Sequence, residues 1–259
     1  MKESDIDIII LGSGTCVPSL ERSACSVLIR IGKSIIVVDA GPGTMRRLLQ
    51  AGHDIWTISH LFFSHLHPDH SAELVPLLFS TKYPDIHRRR IPLQIVAGHG
   101  FIDHYNKLKD VYGQWIVLPA NLISFIELDN VNTDSVHFPD FSVTSTPVEH
   151  NPESLAYRFN SPKGRAVIYS GDTDYSENLV ALADNADVLI CESALPDDMK
   201  VKGHLTPSQA GDIASRAGVG KLVLTHFYPE CDRADMVSQC RKTYSGQLLL
   251  AQDLATISL

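Results

Sequence analysis

Ser64-His65-Leu66-His67-Pro68-Asp69-His70 puts three imidazoles and a carboxylate within six positions, directly after the apolar run Leu61-Phe62-Phe63. Imidazole nitrogens and carboxylate oxygens are the groups that zinc and related divalent ions take from proteins. In an extended segment side chains alternate, so His65 and His67 point the same way and can grip one ion. Pro68 suits the first turn of a helix, and residues 71–79 read as that helix, with a kink or early stop at Pro76. Asp69 and His70 then stand at the helix entrance, facing a second ion. An isolated histidine is usually a satisfied core or loop residue, but this spacing favours a metal site.

Six residues cannot complete the coordination of two ions, so further ligands must come from elsewhere. Three ligand-type residues follow predicted strands: His150 after Val148, Asp172 after Tyr169-Ser170-Gly171, and His226 after the strand ending at Thr225. Each lies at the carboxyl end of its strand, where loops gather into active sites. They complete one set of His65, His67 and His150, a second of Asp69, His70 and His226, and Asp172 between the two.

The elements that must position these residues are legible as β-branched and apolar runs. Strands are expected at 6–11, 26–31, 34–39, 58–63, 91–97, 123–128, 141–148, 155–159, 165–170, 187–191, 221–225 and 247–251. Gly32-Lys33 joins the second and third as a hairpin, and Asp39 ends that hairpin at a sheet edge. Helices are expected at 45–51, 101–118, 178–183, 207–217 and 233–244, with Thr206 or Ser208 as a cap; residues 130–140 read as a polar turn. Gly12-Ser13-Gly14 lacks the third, helix-opening glycine of a dinucleotide fingerprint. The run His87-Arg88-Arg89-Arg90 reads as a solvated loop rather than a phosphate patch. Strands first and alternating helix–strand units later, with helices covering two sheets, make a four-layer mixed α/β arrangement.

The chain has 259 residues, 44% hydrophobic and 20% charged, which suits one large domain spanning 1–259. No apolar run reaches membrane-spanning length, and residues 1–5 are too acidic to open a secretory signal, so a soluble cytoplasmic protein is expected. The five cysteines form no CxxC pair and leave an odd one out, which reads as reduced thiols, mostly in the core. A net charge of -8 gives the surface as a whole no attraction for a polyanion.

At this point the sequence resembles the metallo-β-lactamase-fold hydrolases, and more narrowly their ribonuclease Z branch. The residues that carry the resemblance are His65-x-His67-x-Asp69-His70, His150, Gly171-Asp172-Thr173 and Thr225-His226. Leu11 to Gly14, Pro18 to Arg22, Gly203 to Thr206 and Gln209-Ala210 carry the narrower likeness. The resemblance runs over nearly the whole chain. It implies an αββα sandwich with a two-metal centre, commonly zinc with manganese or iron as alternatives, Asp172 as the bridging carboxylate, and Asp39 supporting the ligand histidines. It also implies phosphodiester cleavage through His204-x-Thr206, and often a dimer.

Two divalent ions activate a shared water and clamp an in-line displacement at phosphorus. In this reading Asp69 orients the water and takes its proton, His204 stabilises the equatorial oxygens or protonates the leaving oxygen, and Glu192 pairs with His204 to tune it. The departure from the branch concerns substrate. Processing ribonucleases of this kind insert a tRNA-binding arm between the segments carrying His150 and Asp172, and here the intervening residues hold only a turn and two strands. The sequence therefore points to a metal-dependent phosphodiesterase acting on a small nucleotide-like diester, ahead of a tRNA 3′-processing endoribonuclease; binding of structured RNA is unsupported. Thioesterase, lactonase and sulfatase chemistry are rivals on the same scaffold. A redox di-iron protein would carry a carboxylate at His67, and the complete ligand set speaks against an inert binding module.

Overall fold

The computed structural model describes residues 4–83 and 88–259; residues 1–3, part of the reading on secretion, and His87 of the basic run lie outside the described residues. The first half of the chain begins as an antiparallel meander of β1 (Ile6–Gly12), β2 (Ser26–Ile31) and β3 (Ser34–Val38). It continues through α1 (Thr44–Gln50), β4 (His60–Phe62), α2 (Pro68–Ser71), α3 (Leu74–Lys82), β5 (Leu93–Gly98), α4 (Phe101–Tyr112) and β6 (Ile123–Leu128), with β3 to β6 parallel. The second half repeats that plan. An antiparallel run of β7 (Asp134–His137), β8 (Ser142–Pro147), β9 (Leu155–Asn160) and β10 (Ala166–Tyr169) leads into α5 (Glu177–Leu182), β11 (Val188–Glu192), α6 (Pro207–Arg216), β12 (Lys221–Thr225), α7 (Met236–Cys240) and β13 (Gln247–Leu250). From β10 to β13 the strands are parallel, and β14 (Thr256–Ser258) returns to pair with β1. The sheets have the orders β14-β1-β2-β3-β4-β5-β6 and β13-β12-β11-β10-β9-β8-β7.

Period-two alternation assigns side chains to layers. Ile6, Ile8 and Ile10 of β1, Val27 and Ile29 of β2 and Phe62 of β4 share a core with Val143, Phe159 and Val167 of the facing sheet. Their neighbours of opposite parity, Leu28, Val37 and Leu61, pack outward under Leu48 of α1, Leu77 and Leu78 of α3 and Phe101 of α4. On the far side Leu179, Ile213 and Met236 bring α5, α6 and α7 onto the second sheet. The result is the expected αββα sandwich. The parallel strands of both halves end at the same rim, where their following loops meet.

Several elements differ from their sequence reading, for identifiable reasons. Residues 134–137 form β7 rather than a turn; it is an edge strand whose residues are only half buried or exposed, so composition marks it weakly. The helix expected over 101–118 stops at Tyr112, where Gly113 adopts φ 57, and a short 3₁₀ turn follows. The last helix is confined to Met236–Cys240, capped by the Asp235 carboxylate accepting from the Ser238 N–H. Pro76 neither kinks nor stops α3, because it occupies the first turn, where its missing N–H has no intrahelical partner to lose. Asp39 follows a central strand of its sheet and lies at that strand's end, not at an edge strand. Thr206 is the N-cap of α6, with Gln209 Oε1 accepting from its N–H at 3.2 Å.

Arg89 is a further correction. It is 1% exposed, and its guanidinium donates to the carbonyls of Ile58 at 2.6 Å and Ile55 at 2.5 Å. It closes the loop before β4 from below rather than standing in solvent. Arg89→Met keeps most of the volume but strands both carbonyls, so it should cost about 2–4 kcal/mol. Urea unfolding checks this; a midpoint unchanged from wild type would show that the loop does not depend on the guanidinium.

Candidate metal centre

Asp39 is the hub from which the site is built. It is fully buried with φ 59, a left-handed conformation that a non-glycine residue adopts at a cost. Its Oδ1 accepts from the Ser64 N–H at 2.7 Å, and its Oδ2 takes Ser64 Oγ at 2.7 Å, Tyr169 Oη at 2.8 Å and His70 Nδ1 at 2.7 Å. With Ser64 Oγ committed as donor to Asp39, it accepts from His65 Nδ1 at 3.1 Å. One carboxylate thus fixes the rings of His65 and His70 through Nδ1 and turns both Nε2 atoms towards the centre. His150 is set the same way, its Nδ1 donating to the Gly203 carbonyl at 2.9 Å.

Two glycines make the close approach possible. A Cβ on Gly41 would lie 2.0 Å from the Asp69 carbonyl oxygen, and one on Gly171, at φ 59, would lie 2.7 Å from Ser64 Cβ. The loops after β3 and β10 therefore lie directly on the histidine segment.

All seven expected ligands converge. One ligand atom each of His65, His67, His150 and Asp172 lies within 4.8 Å of the others. His150 Nε2 is 3.2 Å from His67 Nδ1, and Asp172 Oδ2 is 3.8 Å from His65 Nε2 and 3.9 Å from His150 Nε2. The other oxygen of Asp172, Oδ1, is 3.2 Å from His70 Nε2 and 3.3 Å from His226 Nε2. Asp69 Oδ2 is 3.6 Å from His226 Nε2 and 4.0 Å from His70 Nε2. Each Asp172 oxygen faces a different set, so the carboxylate stands between them. His226, like Asp39, holds a left-handed backbone conformation at φ 61.

These residues fit two cations by a criterion independent of the motif. His65 Nε2 is buried with no hydrogen-bond partner, a costly arrangement unless something else binds it. Burial, with the charge of His70 next, pushes the His65 imidazole well below its usual range, and burial likewise lowers His150, which suits neutral imidazoles to a cation. Burial opposes a charge on His70, but Asp172 and Asp39 hold its pKa well above the ordinary value. Between two carboxylates it keeps a proton, which a divalent ion would replace. Burial also opposes ionisation of Asp172, yet His226 and His70 keep its pKa well below the usual range.

His204 approaches from the loop before α6. Its Nδ1 is 2.9 Å from Glu192 Oε1 and 3.9 Å from Asp172 Oδ2, and its ring stacks on His226 with centroids 5.4 Å apart. Glu192 is itself buried, accepting from the Thr173 N–H at 2.8 Å and the Ala194 N–H at 3.2 Å. Burial would lower the His204 pKa, but the Glu192 hydrogen bond and the charges of Glu192 and Asp172 raise it to about 9.

Four further residues belong to the site. Ser64 and Tyr169 work through Asp39, and the Asn151 side-chain amide lies 3.0 Å from His67 Nε2. The Cys25 thiol lies within 4.8 Å of a nitrogen of both His70 and His226; burial, then the charges of Asp172, Asp39 and Asp69, keep it protonated. Asn151 adjoins a ligand in sequence. Cys25 and Tyr169 lie far from the motif and carry no local signal. Of the other cysteines, Cys16 is exposed and the rest are buried, all free.

Such convergence at one rim of an αββα sandwich defines a metal-dependent hydrolase of the metallo-β-lactamase fold. The chain belongs to the beta-lactamase superfamily, whose domain matches residues 35–227. The Schizosaccharomyces pombe protein named Ribonuclease Z 1 is 32% identical over 294 aligned residues; the match covers 97% of this chain but spans only 36% of that protein. Ribonuclease Z of Methanothermobacter thermautotrophicus is 26% identical, with 98% of this chain and 97% of the relative covered. Among solved structures, the metallo-beta-lactamase fold protein YhfI from Bacillus subtilis superposes with a TM-score of 0.82 at 22% identity, covering 99% of this chain and 100% of that one. The chain is ribonuclease Z-like in this sense. No described helix is long and apolar enough to cross a membrane.

Proposed function

We propose that the protein is a phosphodiesterase with two divalent ions, zinc as the expected metal, and that a small nucleotide-like diester is its substrate ahead of tRNA. The observation that carries this reading is His204, held by buried Glu192 at 2.9 Å beside the carboxylate that stands between the two ligand sets. His65, His67 and His150 would hold one ion, Asp69, His70 and His226 the other, and Asp172 both. Bound there, the ions would supply charge neutralisation at phosphorus and lower the pKa of water towards neutrality.

The protein's own groups do the rest. Burial opposes ionisation of Asp69, but the hydrogen bond from His226 and the charges of His70 and His226 hold its pKa at about 2, so it is an acceptor that orients water. His204 is a cation at neutral pH and can donate to an equatorial or leaving oxygen. Asp39 positions His65 and His70.

The names of the relatives support cleavage of a phosphodiester. The stretch between His150 and Asp172 supports a small substrate, because it consists of β9, β10 and the turn at Pro162-Lys163-Gly164. Metal-loaded protein assayed on bis(p-nitrophenyl) phosphate, a precursor tRNA, a thioester and a lactone tests the reading. Diester turnover exceeding the other three is expected; robust thioester turnover with an inert diester overturns it.

The His204–Glu192 pair has a pH signature. If protonated His204 donates in the reaction, kcat falls as pH rises through about 9. Glu192→Gln removes the charge that raises the pKa and should move this alkaline limb towards the ordinary histidine value of about 6.5. A limb that stays in place in the variant would remove Glu192 from this role.

A further inference from the structure

The metal centre is flanked by two cavities that differ in their unpaired charges. The first, of about 450 Å³, is lined by Asp69 and by Arg22, Arg46 and Arg47, so three guanidinium groups face it against one carboxylate. The second, of about 830 Å³, contains His150 and is lined by Glu149, Asp174, Glu177 and Lys202; Asp174 is paired with Lys200 at 2.9 Å and Glu177 with Arg216 at 2.8 Å, which leaves Glu149 and Lys202 as its unpaired charges among the described residues. Each cavity shares one expected metal ligand, so a diester bound at the centre directs one arm into each. Both volumes suit a small organic group.

The three arginines of the first cavity are not equivalent. Arg22 is paired with Asp232 at 3.0 Å and also donates to the Ala251 carbonyl; Arg47 is paired with Asp253 at 2.9 Å. Both are committed to holding the loop between β1 and β2 and the start of α1. Arg46 is exposed, and among the described residues no carboxylate or carbonyl pairs with it. An unpaired guanidinium in a cavity that touches the metal centre, on a protein of net charge -8, is placed to take a phosphate group in a bidentate contact. In the opposite cavity the one unpaired ammonium, Lys202, shares the lining with the unpaired carboxylate of Glu149, whereas the carboxylate beside Arg46 is Asp69, an expected metal ligand; this difference sets the direction in which the substrate lies.

We propose that the cavity beside Asp69 is an anion subsite in which Arg46 holds a second phosphate on one arm of the diester, while the opposite cavity receives the uncharged, hydroxyl-bearing arm. This deepens the phosphodiesterase reading and rests on it. The substrate class is then a diester with an additional phosphate, such as a dinucleotide phosphorylated at one end, rather than a diester with no further charge. Arg46 is a specificity-determining residue here and takes no part in bond cleavage.

The test compares uridylyl-(3′,5′)-uridine with its 5′-phosphorylated and 3′-phosphorylated forms, and includes bis(p-nitrophenyl) phosphate, which has no second anion. Wild type should favour one phosphorylated dinucleotide over the plain one by about 10–100-fold in kcat/KM, the size of one charge-assisted contact. Arg46→Ala should abolish that preference through KM, Arg46→Lys should restore part of it, and turnover of bis(p-nitrophenyl) phosphate should change by less than about twofold, as expected for loss of binding that is uniform along the reaction. No preference in wild type, a preference that survives Arg46→Ala, or equal loss on every diester overturns the proposal. Calorimetry separates its failure from that of the underlying reading. If no diester is cleaved but uridine 3′,5′-bisphosphate binds the metal-loaded protein more tightly than uridine 3′-monophosphate, and Arg46→Ala removes the difference, the subsite stands and the phosphodiesterase reading falls. Equal affinities for the two nucleotides in wild type remove the subsite.

Discussion

Asp172→Asn is expected to reduce diester turnover by about 10⁴-fold or more, the scale on which enzymes fail when one member of a unit acting together is lost. The reason is geometric. One oxygen of this buried carboxylate stands 3.8 Å and 3.9 Å from His65 and His150, and the other 3.2 Å and 3.3 Å from His70 and His226. An amide keeps the shape but offers one acceptor and no charge, so both ligand sets lose the anion that balances their cation. Metal content should fall with activity. Measuring bound metal and kcat on the same preparation checks this; a variant that keeps full metal and more than about a tenth of wild-type turnover would place Asp172 outside the role of shared ligand.

His204→Ala should have the second largest effect, with a different signature. Loss of a positioned acid lowers kcat by about 10²–10⁴-fold. His204 has a ring nitrogen within 4.8 Å of ligand atoms of Asp172 and His226, but it is held by Glu192 at 2.9 Å and both expected sets are complete without it, so metal content should match wild type. The imidazole is partly exposed, with 16% of its side chain accessible, so a small cavity at the surface should not unfold the protein. Lost metal in this variant would make His204 a ligand rather than an acid. Unchanged kcat with full metal would leave it without a chemical role.

The parts of the site that were legible in sequence share a physical origin. His65, His67, Asp69 and His70 are close in the chain, Asp172 and His226 each follow an apolar strand whose hydrophobic run announces where it ends, and His150 follows the Ser/Thr-rich strand β8. Strand ends collect at one rim in a parallel arrangement, so a ligand-type residue just past a strand is informative even when distant in sequence. What stayed hidden depends on contacts between distant segments. Tyr169 reaches Asp39 across 130 positions, and Cys25 meets His70 and His226 only because β2 runs beneath them. The buried state of Arg89 had no local signal either, since its neighbours in sequence are arginines and its acceptors are backbone carbonyls. Asp39 is legible only through the family resemblance; the structure supplies its physical reason, four hydrogen bonds from Ser64, His70 and Tyr169 on one buried carboxylate.

β7 and β14 illustrate the same limit for the fold. Both are short edge strands, β7 alternating half-buried with exposed side chains and β14 burying only Ile257, and pairing with β8 and β1 decides their conformation more than composition does. The buried strands were read within a residue or two at most ends, because alternation between the inter-sheet core and the outer helical layers is written directly into their apolar positions.

The central claim is that seven ligands hold two ions around one shared carboxylate. Elemental analysis of the full-length wild-type protein, purified after metal loading and removal of free metal, tests it directly. The account predicts two divalent ions per chain, with one retained or none when Asp172 is replaced. A wild-type protein that holds one ion or none after loading would contradict it.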